Sequence, residues 1–124
     1  MPEEKNVRSI LMTDDSIIAR KKIKAMLKSA GYDVSEATNG AEAIKMLESK
    51  SFDLLMLDLL MPEVDGFEVL RHIKSKSMEV PVVVLSADIQ DATRELCLEL
   101  GAKDFINKPP VKEDLIAVVE KAMS

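Results

Sequence analysis

The stretch DLLMLDLLMPEVDGFEVL, Asp53 to Leu70, decides the fold. Its first half is an apolar run from Leu54 to Leu57 that stops at a carboxylate, Asp58. An apolar run without alternation is the pattern of a strand covered on both faces. A loop from Leu59 to Asp65 carries Pro62 and is closed by Gly66, and beyond it Phe67, Val69, Leu70 and Ile73 recur at helical spacing. A buried strand, an acidic residue at its C-terminal end, a turn and an amphipathic helix make one strand–helix unit.

The same alternation runs outward in both directions. Toward the N-terminus, Val7 to Met12 reads as strand one and is followed by the acidic pair Asp14-Asp15. Helix one places Ala19, Ile23, Met26, Leu27 and Ala30 on one face, with Asp15 or Ser16 as its N-cap and Gly31 at its C-terminal stop. Strand two covers Asp33 to Ala37, and Asn39-Gly40 turns into helix two, whose inner face is Ala43, Ile44 and Leu47. Toward the C-terminus, Val82 to Leu85 is strand four, and helix four is expected to turn Ile89, Ala92, Leu96 and Leu100 inward before Gly101. Phe105 and Ile106 form strand five, which leads to Asn107-Lys108. After Pro109-Pro110, helix five buries Leu115, Val118, Val119 and Ala122.

Five strands alternating with five helices define an α/β fold, a doubly wound five-stranded parallel sheet of flavodoxin-like (βα)5 architecture. Right-handed crossovers leave the order 2-1-3-4-5 as the natural choice, with the switch point between strands one and three.

The bulk properties agree. A chain of 124 residues is one domain, 1–124, with its core at about 7–123 and a loose polar start from Met1 to Asn6. At this length a hydrophobic core suffices without disulfides or a structural metal. The lone Cys97 cannot form an internal disulfide, and no apolar run reaches the length of a membrane span. No secretory signal opens the chain. A cytoplasmic protein without membrane insertion is expected. The initial methionine, and the absence of sequence after helix five, lead to the expectation of a complete, single-domain chain. The net charge of −5 argues against direct nucleic-acid binding. The basic residues Arg20, Lys21, Lys22, Lys24 and Lys28 read as one solvated face of helix one. The single histidine, His72, is expected to be exposed and inert. Among the methionines, Met46 and Met78 are the ones expected nearest the surface.

Ligand sites in such sheets lie beyond the C-terminal ends of the strands, at the switch point. Asp14 and Asp15 follow strand one, Asp58 follows strand three, Ser86 follows strand four and Lys108 follows strand five. Singly, each has a plain structural reading, as helix cap, turn residue or surface charge. Together they bring three carboxylates, a hydroxyl and an ammonium to one rim. Crowded carboxylates repel, and a hard divalent cation with oxygen ligands relieves them. Mg²⁺ is the expected cofactor, with Asp15 and Asp58 as direct ligands and Asp14 acting partly through water. The backbone carbonyl of Leu60 completes the expected protein ligands. Lys108 opposite the metal and the Ser86 hydroxyl suit a phosphoryl group, and a carboxylate nucleophile yields an acyl phosphate.

The segments ILMTDDS, DLLMLDLLMPEVDGFEVL, LSA at Leu85 to Ala87 and GAKDFINKP at Gly101 to Pro109 resemble bacterial two-component response-regulator receiver domains. The resemblance spans the chain in order and spacing, and is to the single-domain chemotaxis or phosphorelay type. It implies that Asp58 is the phosphoacceptor, that Asp14 and Asp15 bind the metal, and that Lys108 is the family's lysine. It further implies that Ser86 and Phe105 form the switch pair, and that Leu60 and Asp88 tune the lifetime of the phosphoryl group. Ser86 stands where threonine is commoner, Phe105 where tyrosine is frequent, and Pro110 where many relatives carry phenylalanine. Lys108-Pro109 resembles the family's cis peptide. The implied partners are a sensor histidine kinase or histidine phosphotransfer protein as donor, and a downstream protein that reads helix four, strand five and helix five.

Three other functions compete. A Mg²⁺-dependent phosphatase acting through an aspartyl-phosphate needs a carboxylate two residues after its nucleophile, where this chain has Leu60. A flavodoxin-like cofactor carrier needs a Gly/Ser/Thr-rich phosphate loop, and the first loop here is acidic. A receiver-like module that is never phosphorylated normally lacks one of the acidic pair, the acceptor or the lysine, and all are present.

Overall fold

The computed structural model describes residues 7–88 and 90–124. The expectations of a loose Met1 to Asn6 and an inward Ile89 lie outside the described residues. The elements alternate without exception: β1 (Ser9–Thr13), α1 (Ile17–Ser29), β2 (Asp33–Ala37), α2 (Gly40–Ser49), β3 (Leu54–Asp58), α3 (Gly66–Ser75), β4 (Val82–Ser86), α4 (Asp91–Glu99), β5 (Asp104–Asn107) and α5 (Lys112–Met123). All strand pairs are parallel, in the order β2-β1-β3-β4-β5. The expected topology is thus observed.

Because strand side chains alternate, the sheet has two apolar faces and the core has two halves. Ile10, Met12, Leu54, Met56, Val83 and Leu85 pack against Ile23 and Leu27 of α1 and Leu115 and Val119 of α5. Leu11, Leu55, Leu57, Val82 and Val84 pack on the other face against Ala43 of α2, Val69 and Leu70 of α3, and Cys97 of α4. The uninterrupted apolar strands follow from this double cover. Side-chain caps start three helices: Ser16 Oγ accepts from Ala19 N–H (3.2 Å), Asn39 Oδ1 from Glu42 N–H (2.8 Å) and Asp65 Oδ1 from Glu68 N–H (3.0 Å).

The structure corrects some of the expected faces. Ala30 is exposed at the end of α1. In α4, Ala92 and Leu96 are exposed, and the inner side carries Thr93, Cys97 and Leu100. Those three positions repeat at four- and three-residue intervals, a true helical stripe in which Leu100 faces inward as expected and Thr93 and Cys97 take the places expected of Ala92 and Leu96. His72 is not free on the surface: it is half-buried, with Nε2 3.1 Å from Glu48 Oε2, and ties α3 to α2. Met46 and Met78 are half-buried against the core.

Candidate functional site

The register puts the C-terminal ends of β1, β3, β4 and β5 side by side, with Thr13 opposite Leu57, Asp58 opposite Leu85 and Ser86 opposite Asn107. Each strand thus delivers its next polar residue to a common rim. Oxygens of Asp14, Asp15 and Asp58 lie within 4.8 Å of one another. Lys108 reaches into this cluster, with Nζ 2.7 Å from Asp14 Oδ2 and 3.2 Å from Asp58 Oδ1. The bond between Lys108 and Pro109 is cis.

Local packing explains why the cluster keeps its shape. Gly66 begins α3 directly against the strand end, where a Cβ would come within 2.8 Å of the Asp58 carbonyl oxygen and 2.7 Å of Leu59 Cα. Only glycine lets the helix close the loop so near the carboxylate. Gly66 N–H also donates to Leu59 O (2.9 Å), and Leu59 N–H to Leu85 O (3.2 Å).

The three carboxylates differ in role. Asp14 is fully buried and every polar group on it is engaged. Its N–H donates to Ala37 O (3.2 Å), and its Oδ1 accepts from Ser16 N–H (2.9 Å). Its Oδ2 accepts from Lys108, and its carbonyl accepts from Arg20 Nη1 (2.8 Å). Asp15 is exposed and, among the described residues, takes no hydrogen bond. Asp58 is 4% exposed. Burial and the neighbouring Asp14 charge push its pKa from 3.8 up to about 6, against the opposing pull of Lys108. Burial works against the Lys108 ammonium, yet its hydrogen bond to Asp14 and the Asp58 and Asp14 charges leave its pKa above the ordinary value.

A hard cation suits this donor set. Asp15 is solvent-exposed and Asp58 is paired with Lys108, while both carboxylate oxygens of Asp14 already accept a hydrogen bond. Leu60 is exposed beside Asp58.

Ser86 is buried at the end of β4, and its Oγ accepts from Asp88 N–H (3.0 Å). The accepted bond leaves the hydroxyl proton available for donation. Both oxygens of Asp88 are turned to the start of α4, Oδ1 to Gln90 N–H (2.9 Å) and Oδ2 to the Thr93 hydroxyl (2.7 Å). Phe105 is 9% exposed, so its ring is packed inward with Val84, Cys97 and Ala102.

Two residues at the site escaped the sequence reading. Arg20, expected on a solvated face, is buried at 6% exposure and bonded to the Asp14 carbonyl and to Glu36. Its helical neighbours mask it, because a basic run looks uniform in sequence. Thr13, fully buried beside Asp14, has a hydroxyl with no hydrogen-bond partner among the described residues. Nothing in the letters T-D-D signals that.

A family model described as "Response regulator receiver domain" matches residues 10–120. The chain is 40% identical over 111 residues to a transcriptional regulatory protein CpxR homolog of Haemophilus influenzae, covering 90% of this chain and 48% of that protein. It spans about half the length of the curated relatives it matches. Among solved structures, the Francisella response regulator 1452 receiver domain superposes with TM-score 0.89 at 27% identity, covering 94% of this chain and 96% of that one. The receiver domain of the sensor histidine kinase PA1611 of Pseudomonas aeruginosa, with a magnesium ion coordinated in its active site cleft, gives TM-score 0.86 at 28% identity, covering 94% and 98%.

Proposed function

Since the chain belongs to the response regulator receiver domain family, we propose that it is a phosphoacceptor switch whose acceptor is Asp58. The observation that carries this reading is the Lys108 ammonium lying between Asp14 and Asp58 inside a three-carboxylate cluster. Asp15 and Asp58 would hold Mg²⁺, with the Leu60 carbonyl beside them. The ion supplies charge neutralisation for the transferring phosphoryl oxygens.

The ionised Asp58 carboxylate attacks phosphorus of a phosphohistidine. An O–P bond forms, the P–N bond breaks, and the donor imidazole leaves with the electron pair and takes up a proton. Lys108 moves with the charge, from the carboxylate oxygens it now touches to a phosphoryl oxygen. Ser86 donates its free hydroxyl proton to another phosphoryl oxygen. The donor is a sensor histidine kinase or a histidine phosphotransfer protein. It meets an apolar collar around the acid cluster: Ile17, Ile18 and Leu60 are exposed, and a groove of about 520 Å³ runs between α1 and the loop before α5 past Met26 and Pro109.

The signal leaves by α4, β5 and α5. Ser86 is joined to Asp88, Asp88 to Gln90 and Thr93 on α4, and Asn107 Nδ2 to the Asp88 carbonyl (3.4 Å). Withdrawing Ser86 toward a phosphoryl group therefore pulls on the start of α4 and the end of β5 together. This surface then binds a downstream protein, or the phosphoryl group is passed on. The chain catalyses only its own phosphorylation and dephosphorylation, and the acidic balance of −5 argues against direct nucleic-acid contact. As proposed, this is one domain acting in the cytoplasm.

Intact mass after incubation with a small phosphodonor and Mg²⁺ tests the reading. The wild type should gain one phosphoryl group and Asp58→Asn none. Equal labelling of both proteins, or of neither, would overturn it.

A further inference from the structure

Arg20 stands apart from the other cations of α1. Its side chain is 8% exposed, whereas those of Lys21 and Lys24 are 58% and 27% exposed. Its guanidinium makes a bridge: Nε donates to Glu36 Oε1 at the end of β2 (2.8 Å), and Nη1 donates to the Asp14 carbonyl (2.8 Å). Lys21 and Lys24 both take the other carboxylate oxygen, Glu36 Oε2, at 3.0 and 2.8 Å. Oε1 is therefore reserved for Arg20. Hydrogen bonds from Lys24, Arg20 and Lys21 hold the Glu36 carboxyl down to about 2, so the anchor stays ionised.

The choice of acceptor points to a role beyond stability. An ion pair to Glu36 would have satisfied a buried charge at any neighbouring carbonyl, but the one used is that of the first acidic residue. Asp14 already has its N–H and both carboxylate oxygens engaged, and Arg20 engages its last polar group. The peptide joining Asp14 to Asp15 is thereby fixed, and Asp15 has no hydrogen bond of its own among the described residues to orient it. We infer that Arg20 is a positioning residue for the acidic pair, holding the β1–α1 loop so that Asp15 converges with Asp58 on one cation. Glu36 acts through Arg20 as its anchor. The role resembles that of the outer partners of metal ligands in general, whose loss weakens metal binding while the ligands remain. It rests on the reading that this pair binds Mg²⁺.

Four proteins decide it: wild type, Arg20→Met, Arg20→Lys and Lys24→Met. Lys24→Met removes a bond to the same Glu36 without touching the Asp14 carbonyl, so it controls for a merely structural loss. Mg²⁺ titration by calorimetry should show affinity about tenfold weaker in Arg20→Met and unchanged in Lys24→Met. Arg20→Lys keeps the charge but lacks the planar fork that spans both acceptors, and it should fall between. In phosphorylation assays the Mg²⁺ concentration for half-maximal rate should rise in Arg20→Met while the rate at saturating Mg²⁺ holds. Amide exchange at Ser16, whose N–H is bonded to Asp14 Oδ1, should quicken in Arg20→Met and not in Lys24→Met.

Wild-type Mg²⁺ affinity and Ser16 protection in both Arg20 variants would overturn the inference, as would equal losses in Lys24→Met. If Arg20→Met does not fold, Arg20→Lys carries the decision. If the wild type itself binds no Mg²⁺, the phosphoacceptor reading fails, and Ser16 exchange still decides whether Arg20 holds the loop.

Discussion

Asp58 is the residue at which charge, burial and reactivity meet. Its carboxyl is protonated up to about pH 6 in the folded chain but only to its ordinary 3.8 when unfolded. Between those values the folded state binds more protons than the unfolded one, so stability falls as pH rises through the window. In Mg²⁺-free buffer the unfolding free energy should drop between about pH 4 and pH 6 by on the order of 2 kcal/mol. Asp58→Asn should flatten that slope, as read from urea denaturation at each pH. Lys108 does not interfere, because stability from its raised pKa is lost only above its ordinary 10.5. A second single-residue effect is expected next door. The fully buried Thr13 hydroxyl has no partner among the described residues, and leaving such a group unpaired costs about 1–3 kcal/mol. Thr13→Val keeps the shape and removes the hydroxyl, so its urea midpoint should rise by the equivalent of about 1 kcal/mol. A lower midpoint would mean that the hydroxyl is satisfied in solution.

Among the elements, α4 separates what can be read in the letters from what cannot. β3 and β4 are legible because an apolar strand covered on both faces leaves an unbroken run, and all ten of their residues are buried. The rim is legible for a related reason: once the strands are placed, the polar residues after them must share one edge. The inner face of α4 is not legible, because leucines recur on more than one side. Leu96 and Leu98 are 37% and 39% exposed, while Cys97 is fully buried with threonine and leucine for companions. Arg20 escapes for a similar reason: Lys21 and Lys24 share its partner Glu36, and only its burial against the Asp14 carbonyl sets it apart from them. The α4 assignment has a direct check. Leu96→Lys should change stability by less than about 0.5 kcal/mol, as surface substitutions do. Cys97→Asp buries an unpaired carboxylate and should lower the thermal midpoint sharply or prevent folding. Equal loss from both would restore the face expected from the leucines.

At the scale of the molecule, the sheet is a rigid base that holds like charges together against their repulsion. The strands are locked between two apolar layers, so the carboxylates at their ends cannot relax apart. A cation that binds this arrangement binds the folded chain in preference to the unfolded one, where Asp58 is far from the Asp14-Asp15 pair, and it therefore stabilises the fold by mass action. At a Mg²⁺ concentration of 100 times the dissociation constant the gain is about 2.7 kcal/mol. For a domain of this size that corresponds to a rise in Tm of roughly 10 °C. Asp15 distinguishes specific binding from general screening of the −5 net charge. Its side chain is exposed and takes no hydrogen bond among the described residues, so Asp15→Asn should leave the metal-free Tm nearly unchanged while abolishing most of the Mg²⁺-dependent rise. Sodium chloride at matched ionic strength should act alike on both proteins, because screening does not depend on where the charges converge. If Mg²⁺ raises Tm equally with and without the Asp15 carboxylate, the ion is screening the surface and the acid cluster does not hold it.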